Sequence, residues 1–185
     1  TFSPGHRPVG IATGFISPIT KADLVVANSL DDQVAILKGD GRGNFNVGLT
    51  ETSGNNPHDI VLADFNGDGI ADIAVSNVND STITLMLGNA DGSFGPGNNS
   101  VVGVNPTAMV AADLDCNGTI DLAVATSGSS QIAVLVGKGD GTFKRAREIN
   151  VGQSPVAIAH GDVNGDGESP ELAAVNSKSQ SCATI

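Results

Sequence analysis

The sequence contains no tryptophan and no tyrosine, and only 9 of its 185 residues are lysine or arginine. A nucleic-acid groove gains its affinity from clusters of cationic side chains, so a net charge of −11 argues against that function. The missing large aromatic side chains disfavour a surface on which bases or sugar rings stack. No stretch approaches the ~20 apolar residues of a membrane-spanning helix, whereas 39% hydrophobic residues suffice for a core.

Cysteine and histidine are also scarce. Cys116 and Cys182 are too few and too far apart for a disulfide framework or a zinc motif, and a single bridge or two free thiols both remain open. The three histidines, His6, His58 and His160, are scattered without a spacing that assembles a nucleophile, a base and an orienting group. No G-x-S-x-G motif is present, so the sequence predicts a protein that is not an enzyme.

A repeat of 49 residues runs through the whole chain and is the strongest signal in the sequence. It divides the chain into whole units at 8–56, 57–105 and 106–154 and a partial unit at 155–185. The residues that keep this spacing are Pro8, Pro57, Pro106 and Pro155; Gly39, Gly88 and Gly137; Phe45, Phe94 and Phe143; and Asp23, Asp72 and Asp121.

Each unit contains four short apolar runs, which in the third unit lie at 107–112, 122–126, 132–136 and 148–151. The runs are rich in Val, Ile, Ala and Thr and are bounded by Gly, Asn, Asp or Pro, a pattern typical of strands and turns. Four antiparallel strands in a repeat of this length form the blade of a β-propeller. The sequence therefore predicts one all-β domain over 1–185, without long helices, and with the repeated phenylalanines between blades.

The predicted ring of blades is unfinished, because the fourth unit stops within its third strand. Residues 1–7 align with 50–56 and could supply only the end of a closing strand. An open third strand would expose unpaired backbone groups, which favour association between edges. We therefore expect self-association of the chain, or closure by the remainder of a longer propeller.

Two loops between the first and second strands, at 64–72 and 113–121, read D-x-[DN]-x-[DN]-G-x-x-D. Oxygen atoms at positions 1, 3, 5, 7 and 9 of such a loop can surround a hard cation, and the sixfold or higher oxygen coordination at ~2.4 Å suits Ca²⁺. No histidine or thiolate stands at a ligand position, which argues against zinc and copper. The candidate ligands are Asp64, Asn66, Asp68, Ile70 and Asp72 in the second unit, and Asp113, Asp115, Asn117, Thr119 and Asp121 in the third.

The other two units depart from this loop pattern. The fourth unit has one extra residue and a final glutamate, with candidate ligands Asp162, Asn164, Asp166, Glu168 and Glu171. In the first unit Phe15, Ser17 and Ile19 replace the first three ligands, so we expect no metal there. About three calcium ions would change the net charge from −11 to −11 + 6 = −5.

A glycine-rich motif, G-x-G-D-G-x-F at 137–143, recurs in modified form at 88–94 and 39–45. No helix follows the motif and the motif contains no Lys-Ser or Lys-Thr pair, so it does not match a phosphate-binding loop. It predicts the hairpin turn between the third and fourth strands. The metal loop followed by this hairpin resembles the FG-GAP or VCBS repeat over essentially the whole chain.

The resemblance implies a scaffold similar to the integrin α-subunit head, a propeller of seven blades with calcium in its interstrand loops. The same repeat occurs in secreted bacterial proteins and in some fungal lectins. Metal roles fall on the loop residues named above, whereas the binding partner differs between members of such a scaffold family.

The leading functional prediction is an extracellular, calcium-stabilised adhesion or recognition module that binds a protein or matrix partner. Millimolar calcium outside cells would saturate even weak sites. A sugar-binding propeller and a structural subunit of a larger assembly are the alternatives. Strand order places the turns between second and third strands on the face opposite the metal loops, where loops vary between units. The predicted ligand-binding residues on that face are Asp31, His58, Asn79 and Asp80.

Overall fold

The computed structural model describes residues 3–16, 21–167, 170–179 and 181–184. These residues form four antiparallel sheets and no helix. The first sheet contains β1 (Pro8–Gly14), β2 (Asp23–Asn28), β3 (Gln33–Gly39) and β4 (Phe45–Thr52). The second contains β5 (Pro57–Ala63), β6 (Asp72–Asn77), β7 (Thr82–Met86) and β8 (Asn98–Val101). The third contains β9 (Pro106–Ala112), β10 (Asp121–Thr126), β11 (Gln131–Leu135) and β12 (Arg147–Asn150).

The fourth sheet has three described strands, β13 (Pro155–Gly161), β14 (Glu171–Asn176) and β15 (Ser181–Thr184). Within every sheet the strands pair in sequence order, and the first strands of successive sheets lie next to one another in the order β1, β5, β9 and β13. This arrangement confirms the predicted all-β architecture of repeated, four-stranded blades that do not close into a ring. Among the described residues no helix is suited to crossing a membrane.

Each first strand begins with an irregularity at its proline. The residue before the proline, which is Arg7, Asn56, Asn105 or Ser154, has a positive φ between 52° and 58°. Proline cannot donate a hydrogen bond to a β-ladder, and the register shifts next to it in all four sheets. The repeated proline therefore marks the point at which the chain turns from one blade into the next.

Each pair of adjacent sheets encloses a hydrophobic cluster. Phe94 packs against the cluster between the first and second sheets, and Phe143 packs against the cluster between the second and third. The prediction that the repeated phenylalanines lie between blades is confirmed for these two. Phe45 instead packs on Val26 and Leu37 of its own sheet.

Candidate metal centres and recognition face

The loop at 113–121 brings three acidic side chains together. Carboxylate oxygens of Asp113, Asp115 and Asp121 all lie within 4.8 Å of one another, and the described part of the chain contains one such group. Two oxygens bound to the same calcium ion at ~2.4 Å can be no more than about 4.8 Å apart. The donor set and its spacing therefore fit a calcium ion, and the acids predicted from the sequence at this loop are adjacent.

Backbone hydrogen bonds shape this loop before any ion is considered. Asp113 accepts hydrogen bonds from the N–H groups of Asn117 at 3.0 Å and Gly118 at 2.8 Å. The side-chain oxygen of Asn117 accepts from the Thr119 N–H at 2.8 Å and from the Thr119 hydroxyl. Gly118 has φ of 85°, which glycine adopts without steric cost. The turn thus holds the loop's oxygen atoms around a small volume.

The last acid of each loop has a second role that the motif did not reveal. Asp121 is fully buried, and its two oxygens accept the N–H groups of Leu114 and Gly137, each at 2.8 Å. Asp72 is likewise fully buried and accepts from Phe65 and Gly88 at 2.8 Å. These carboxylates tie the metal loop to the hairpin between the third and fourth strands. The constant separation of 16 residues between this aspartate and this glycine was the available sequence signal.

The loop at 64–72 has the same motif but a different arrangement of side chains. Asp64 accepts hydrogen bonds from the N–H groups of Gly67 and Gly69, both at 2.7 Å, while Asn66 donates to Asp68 at 2.9 Å. Its acids do not form a group as tight as that of the third unit. Burial raises the pKa of Asp72, and the negative charges of Asp68 and Asp64 raise it further, against the effect of its backbone hydrogen bonds. A cation bound in this loop would favour the ionised form of Asp72.

In the fourth unit, the glutamate takes the place of the final aspartate. Glu171 accepts from the Val163 N–H at 2.8 Å and from the Asn164 amide at 3.0 Å, while Asp162 accepts from Gly165 at 2.6 Å. The longer side chain spans the extra residue of this loop and keeps the bond that Asp121 makes to Leu114. The predicted ligand Glu168 lies outside the described residues, and Asp166 belongs to the exposed part of the loop.

The first unit keeps the final acid, Asp23, but pairs it with a lysine. Asp23 Oδ1 accepts the Gly39 N–H at 2.8 Å, and Asp23 Oδ2 lies 3.7 Å from Lys38 Nζ. Both Oδ2 and Nζ are buried and have no hydrogen-bond partner in the described part of the chain. The lysine therefore supplies a positive charge beside the buried carboxylate. Ser17 and Ile19, which the sequence predicted as departures from the motif, lie outside the described residues.

The hairpin glycines Gly39, Gly88 and Gly137 are required by close backbone contacts. A Cβ atom on Gly137 would overlap the carbonyl oxygen of Ile120, and the other two meet the same obstacle one residue before the buried aspartate. We expect Gly137→Ala to lower the free energy of unfolding by about 1 to 3 kcal/mol, because backbone cannot move aside as a side chain can. Gly161→Ala, where nothing lies within 4 Å, should change it by less than about 0.5 kcal/mol. Equal effects in urea unfolding would contradict this assignment.

Cys116 occupies a strained position in the third metal loop. It is a free, exposed thiol with φ of 56°, where the second loop has Gly67 with φ of 77°. The free thiol favours the sequence interpretation without a disulfide bridge; the side chain of Cys182 lies outside the described residues. We expect Cys116→Gly to stabilise the chain by about 0.5 to 1 kcal/mol, whereas Cys116→Ala should not. Thermal unfolding of both variants in a reducing buffer measures the difference, and an equal gain for alanine would be inconsistent with strain.

At the opposite end of the sheets, side chains of the turns between second and third strands accept hydrogen bonds from the connectors between blades. We call each of these contacts a clasp. The Asp31 carboxylate accepts the His6 N–H, the Asp80 carboxylate accepts the Asn55 N–H, and the Ser129 hydroxyl accepts the Val104 N–H, each at 2.7 Å. The side-chain amide of Asn79 donates a hydrogen bond to Asn55 Oδ1 at 3.0 Å. The predicted residues Asp31, Asn79 and Asp80 thus share this end of the fold, and all three are hydrogen-bonded to a connector.

His58 lies at the inner rim, where first strands of adjacent sheets meet. Its Nδ1 is 3.0 Å from the carbonyl oxygen of Thr107, the equivalent residue one repeat later. The neighbouring Asp59 accepts the Met109 N–H at 2.8 Å, a contact that links the second and third sheets. Burial raises the pKa of Asp59, opposed by this bond and by the Ile60 N–H. Sequence patterns gave no indication of Asp59, because the equivalent residues in the other units are glycine or alanine.

A family model described as an FG-GAP-like repeat matches the chain three times, at residues 20–75, 64–124 and 113–169. The chain belongs to the FG-GAP-like repeat family. This confirms the resemblance drawn from the metal loop and the hairpin. The first match contains the loop at 64–72, the second contains that loop and the one at 113–121, and the third contains the loop at 113–121 and extends into that of the fourth unit. The search of curated proteins found no match.

Solved structures support the fold. The chain is similar to BBS1N in a crystal structure of its complex with ARL6DN soaked with lead, with a TM-score of 0.68 and 15% identity over 99% of this chain. A second structure of the same complex, soaked with mercury, gives a TM-score of 0.67 and 18% identity over 98% of this chain. The FG-GAP-like chain covers 58% of BBS1N in both cases.

Proposed function

We propose that this FG-GAP-like chain is a protein-recognition module that calcium stabilises and that acts outside the cell, on a protein or matrix partner. The observation that carries the proposal is the repeated clasp between connectors and turns. The hydrogen bond from a connector N–H to a side-chain oxygen of the turn recurs in three units with the same length of 2.7 Å, whereas the side chains around it differ. A rigid frame with varied exposed side chains suits specific recognition of another surface.

The metal loops support the calcium part of this proposal. They lie at the other end of the sheets, where their final acids are bonded to the hairpins. Calcium in these loops would therefore stiffen the blades without occupying the recognition face, which is the end of the sheets that carries Asp31, Asn79 and Asp80. Millimolar calcium outside cells would fill sites of even modest affinity, which is why we assign the module to that compartment.

A protein partner is favoured over a glycan for two reasons. The chain has no tryptophan or tyrosine, the side chains on which sugar rings commonly stack. BBS1N, which has a similar fold, is found in complex with ARL6DN. That this chain has a protein partner is therefore proposed by analogy with the complex of BBS1N and ARL6DN.

The test is a binding screen of the calcium-loaded chain against immobilised matrix proteins and a glycan array. For a partner found this way, we expect Asn79→Ala on the recognition face to weaken binding by at least about fivefold, while the loss of its exposed side-chain hydrogen bonds to Asn55 and Asn56 lowers the free energy of unfolding by no more than about 1 kcal/mol. Asn89→Ala is the matched control, because this exposed asparagine belongs to the same repeat but to the hairpin at the metal end. Binding to glycans alone, or loss of binding with Asn89→Ala only, would contradict the proposed function.

A further inference from the structure

The last acid of the loop between first and second strands has one partner fewer in the first unit than in the others. In the other three units one carboxylate oxygen of this acid accepts the N–H of the residue at position 2 of the loop, which is Phe65, Leu114 or Val163. In the first unit Asp23 Oδ2 is buried and accepts no hydrogen bond in the part of the chain that the structure describes. A buried carboxylate oxygen without a partner is costly, so another group has to stabilise it.

The ammonium of Lys38 faces this oxygen, with 3.7 Å between Nζ and Asp23 Oδ2. The Lys38 side chain as a whole is 35% exposed, yet its Nζ atom is buried and makes no hydrogen bond to any described residue. Lysine ordinarily does the opposite, since it buries its methylene stem and keeps the ammonium in water. Only a close opposite charge offsets the removal of an ammonium from water, and the Asp23 carboxylate supplies that charge.

The lysine occurs in the unit whose loop lacks the calcium ligands. One and two repeats later the same position holds Leu87 and Val136, in units whose loops each contain three aspartates. Asp23 is the single acid of the loop at 15–23. A divalent ion needs several oxygen ligands, whereas one carboxylate matches the single charge of an ammonium. The residues of the first unit therefore do not fit a calcium ion, and they do fit an internal cation.

We propose that the ammonium of Lys38 replaces calcium in the first unit, so that the first sheet keeps its structure without the ion on which the third sheet depends. The ammonium neutralises Asp23 at Oδ2, and Oδ1 of the same carboxylate holds the hairpin through the Gly39 N–H at 2.8 Å. In the third unit Asp121 holds Gly137 in the same way, but there calcium would supply the positive charge.

This assignment divides the chain into parts that respond differently to calcium. The clasp between Asp31 and His6 belongs to the turn of the first sheet, so it persists when calcium is removed. The clasp between Ser129 and Val104 belongs to the third sheet, whose metal loop loosens without the ion. The inference concerns stability and is independent of the partner that the recognition face binds.

The first test follows hydrogen exchange of the unaltered chain by mass spectrometry, in calcium and in chelator. Peptides that cover β2 and β3 should keep their protection in chelator, whereas peptides that cover β10 and β11 should exchange at least about tenfold faster. An equal loss of protection in the first and third sheets would overturn the proposal. Unchanged exchange in every sheet would reject both the proposal and calcium as the ion of the third loop.

The second test removes the charge and keeps most of the stem. In urea unfolding, Lys38→Met should raise the unfolding equilibrium constant at least about tenfold, because it leaves a buried carboxylate unpaired. The increase should be the same in calcium and in chelator, since no ion contributes at this loop. Lys21→Met is the matched control: it removes the same charge from an exposed lysine of the same unit and should change the constant less than about twofold.

A double-mutant cycle separates the charge pair from simple packing. Asp23→Asn alone leaves the ammonium unpaired, so the double variant with Lys38→Met should be more stable than the two single effects predict, by at least about fivefold in the equilibrium constant. Additive effects, a Lys38→Met effect no larger than that of Lys21→Met, or a Lys38→Met effect that differs between calcium and chelator would contradict the assignment. If Lys38→Met does not fold, hydrogen exchange of the unaltered chain still decides.

Discussion

Replacing Asp121 by alanine is expected to destabilise the chain more than the loss of any other single metal-loop side chain in the third unit. The carboxylate accepts two backbone N–H groups at a fully buried position, and alanine leaves both donors without that partner. At about 1 to 3 kcal/mol for each buried donor, the loss is about 2 to 6 kcal/mol. Because a domain is stable by only about 5 to 15 kcal/mol in total, this variant is expected to be close to unfolding. Urea unfolding in the presence of a chelator measures the effect without metal.

The matched control for this prediction is Asp113→Ala in the same loop. Asp113 is partly exposed, and its bonds are to the N–H groups of a turn that water can reach. In chelator its loss should cost no more than about 1 kcal/mol, whereas in calcium it should remove the contribution of the ion. Asp121→Asn should have an intermediate effect, since an amide oxygen still accepts one of the two bonds. Equal costs for Asp113→Ala and Asp121→Ala in chelator would show that Asp121 acts only as a metal ligand.

The fold could be predicted because the residues that specify it recur at a fixed spacing in the sequence. The spacing of 49 residues between prolines gives the number of units directly, and the apolar runs of the third unit at 107–112 and 122–126 fall within a residue of β9 and β10. Packing of Phe94 and Phe143 between sheets followed from the same spacing. A repeat that must bury its face against a neighbour leaves few alternatives for the position of a large recurring side chain.

The site could be predicted only in part. The motif placed the acids of the third loop correctly near one another, but it could not show that the second loop, with Asn66 in place of Asp115, holds its acids further apart. The difference follows partly from composition, because the third acid is Asp115 at position 3 of one loop and Asp68 at position 5 of the other, and partly from side-chain hydrogen bonds such as that from Asn66 to Asp68. Such bonds depend on rotamers, which a pattern of residue types does not specify.

The clasps of the recognition face could not be predicted from the sequence, because they join residues about half a repeat apart. Asp31 and Asp80 lie 25 residues after the N–H groups that they hold. The sequence interpretation selected both as ligand-binding residues because they are polar and lie in variable turns, and that role stays a prediction. Their hydrogen bonds, like the side-chain bond from Asn79 to Asn55, mean that substitution would also loosen a connector, so the free energy of unfolding has to be measured beside binding for each of these variants.

Removal of calcium is expected to have the largest effect of any change of conditions. An ion held only by the folded chain stabilises it by RT ln(1 + [Ca²⁺]/Kd), or about 2.7 kcal/mol per site when calcium is at a hundredfold excess over Kd. Sites with a Kd near 10 µM in 1 mM calcium would together contribute about 5 to 8 kcal/mol for two or three ions. Chelation should therefore lower the melting temperature sharply, and Asp113→Ala should reduce the difference between the two conditions by one site. Magnesium, which demands near-ideal octahedral geometry, should restore less of the stability. A melting temperature that chelator leaves unchanged, or full rescue by magnesium, would contradict calcium as the structural ion of these loops.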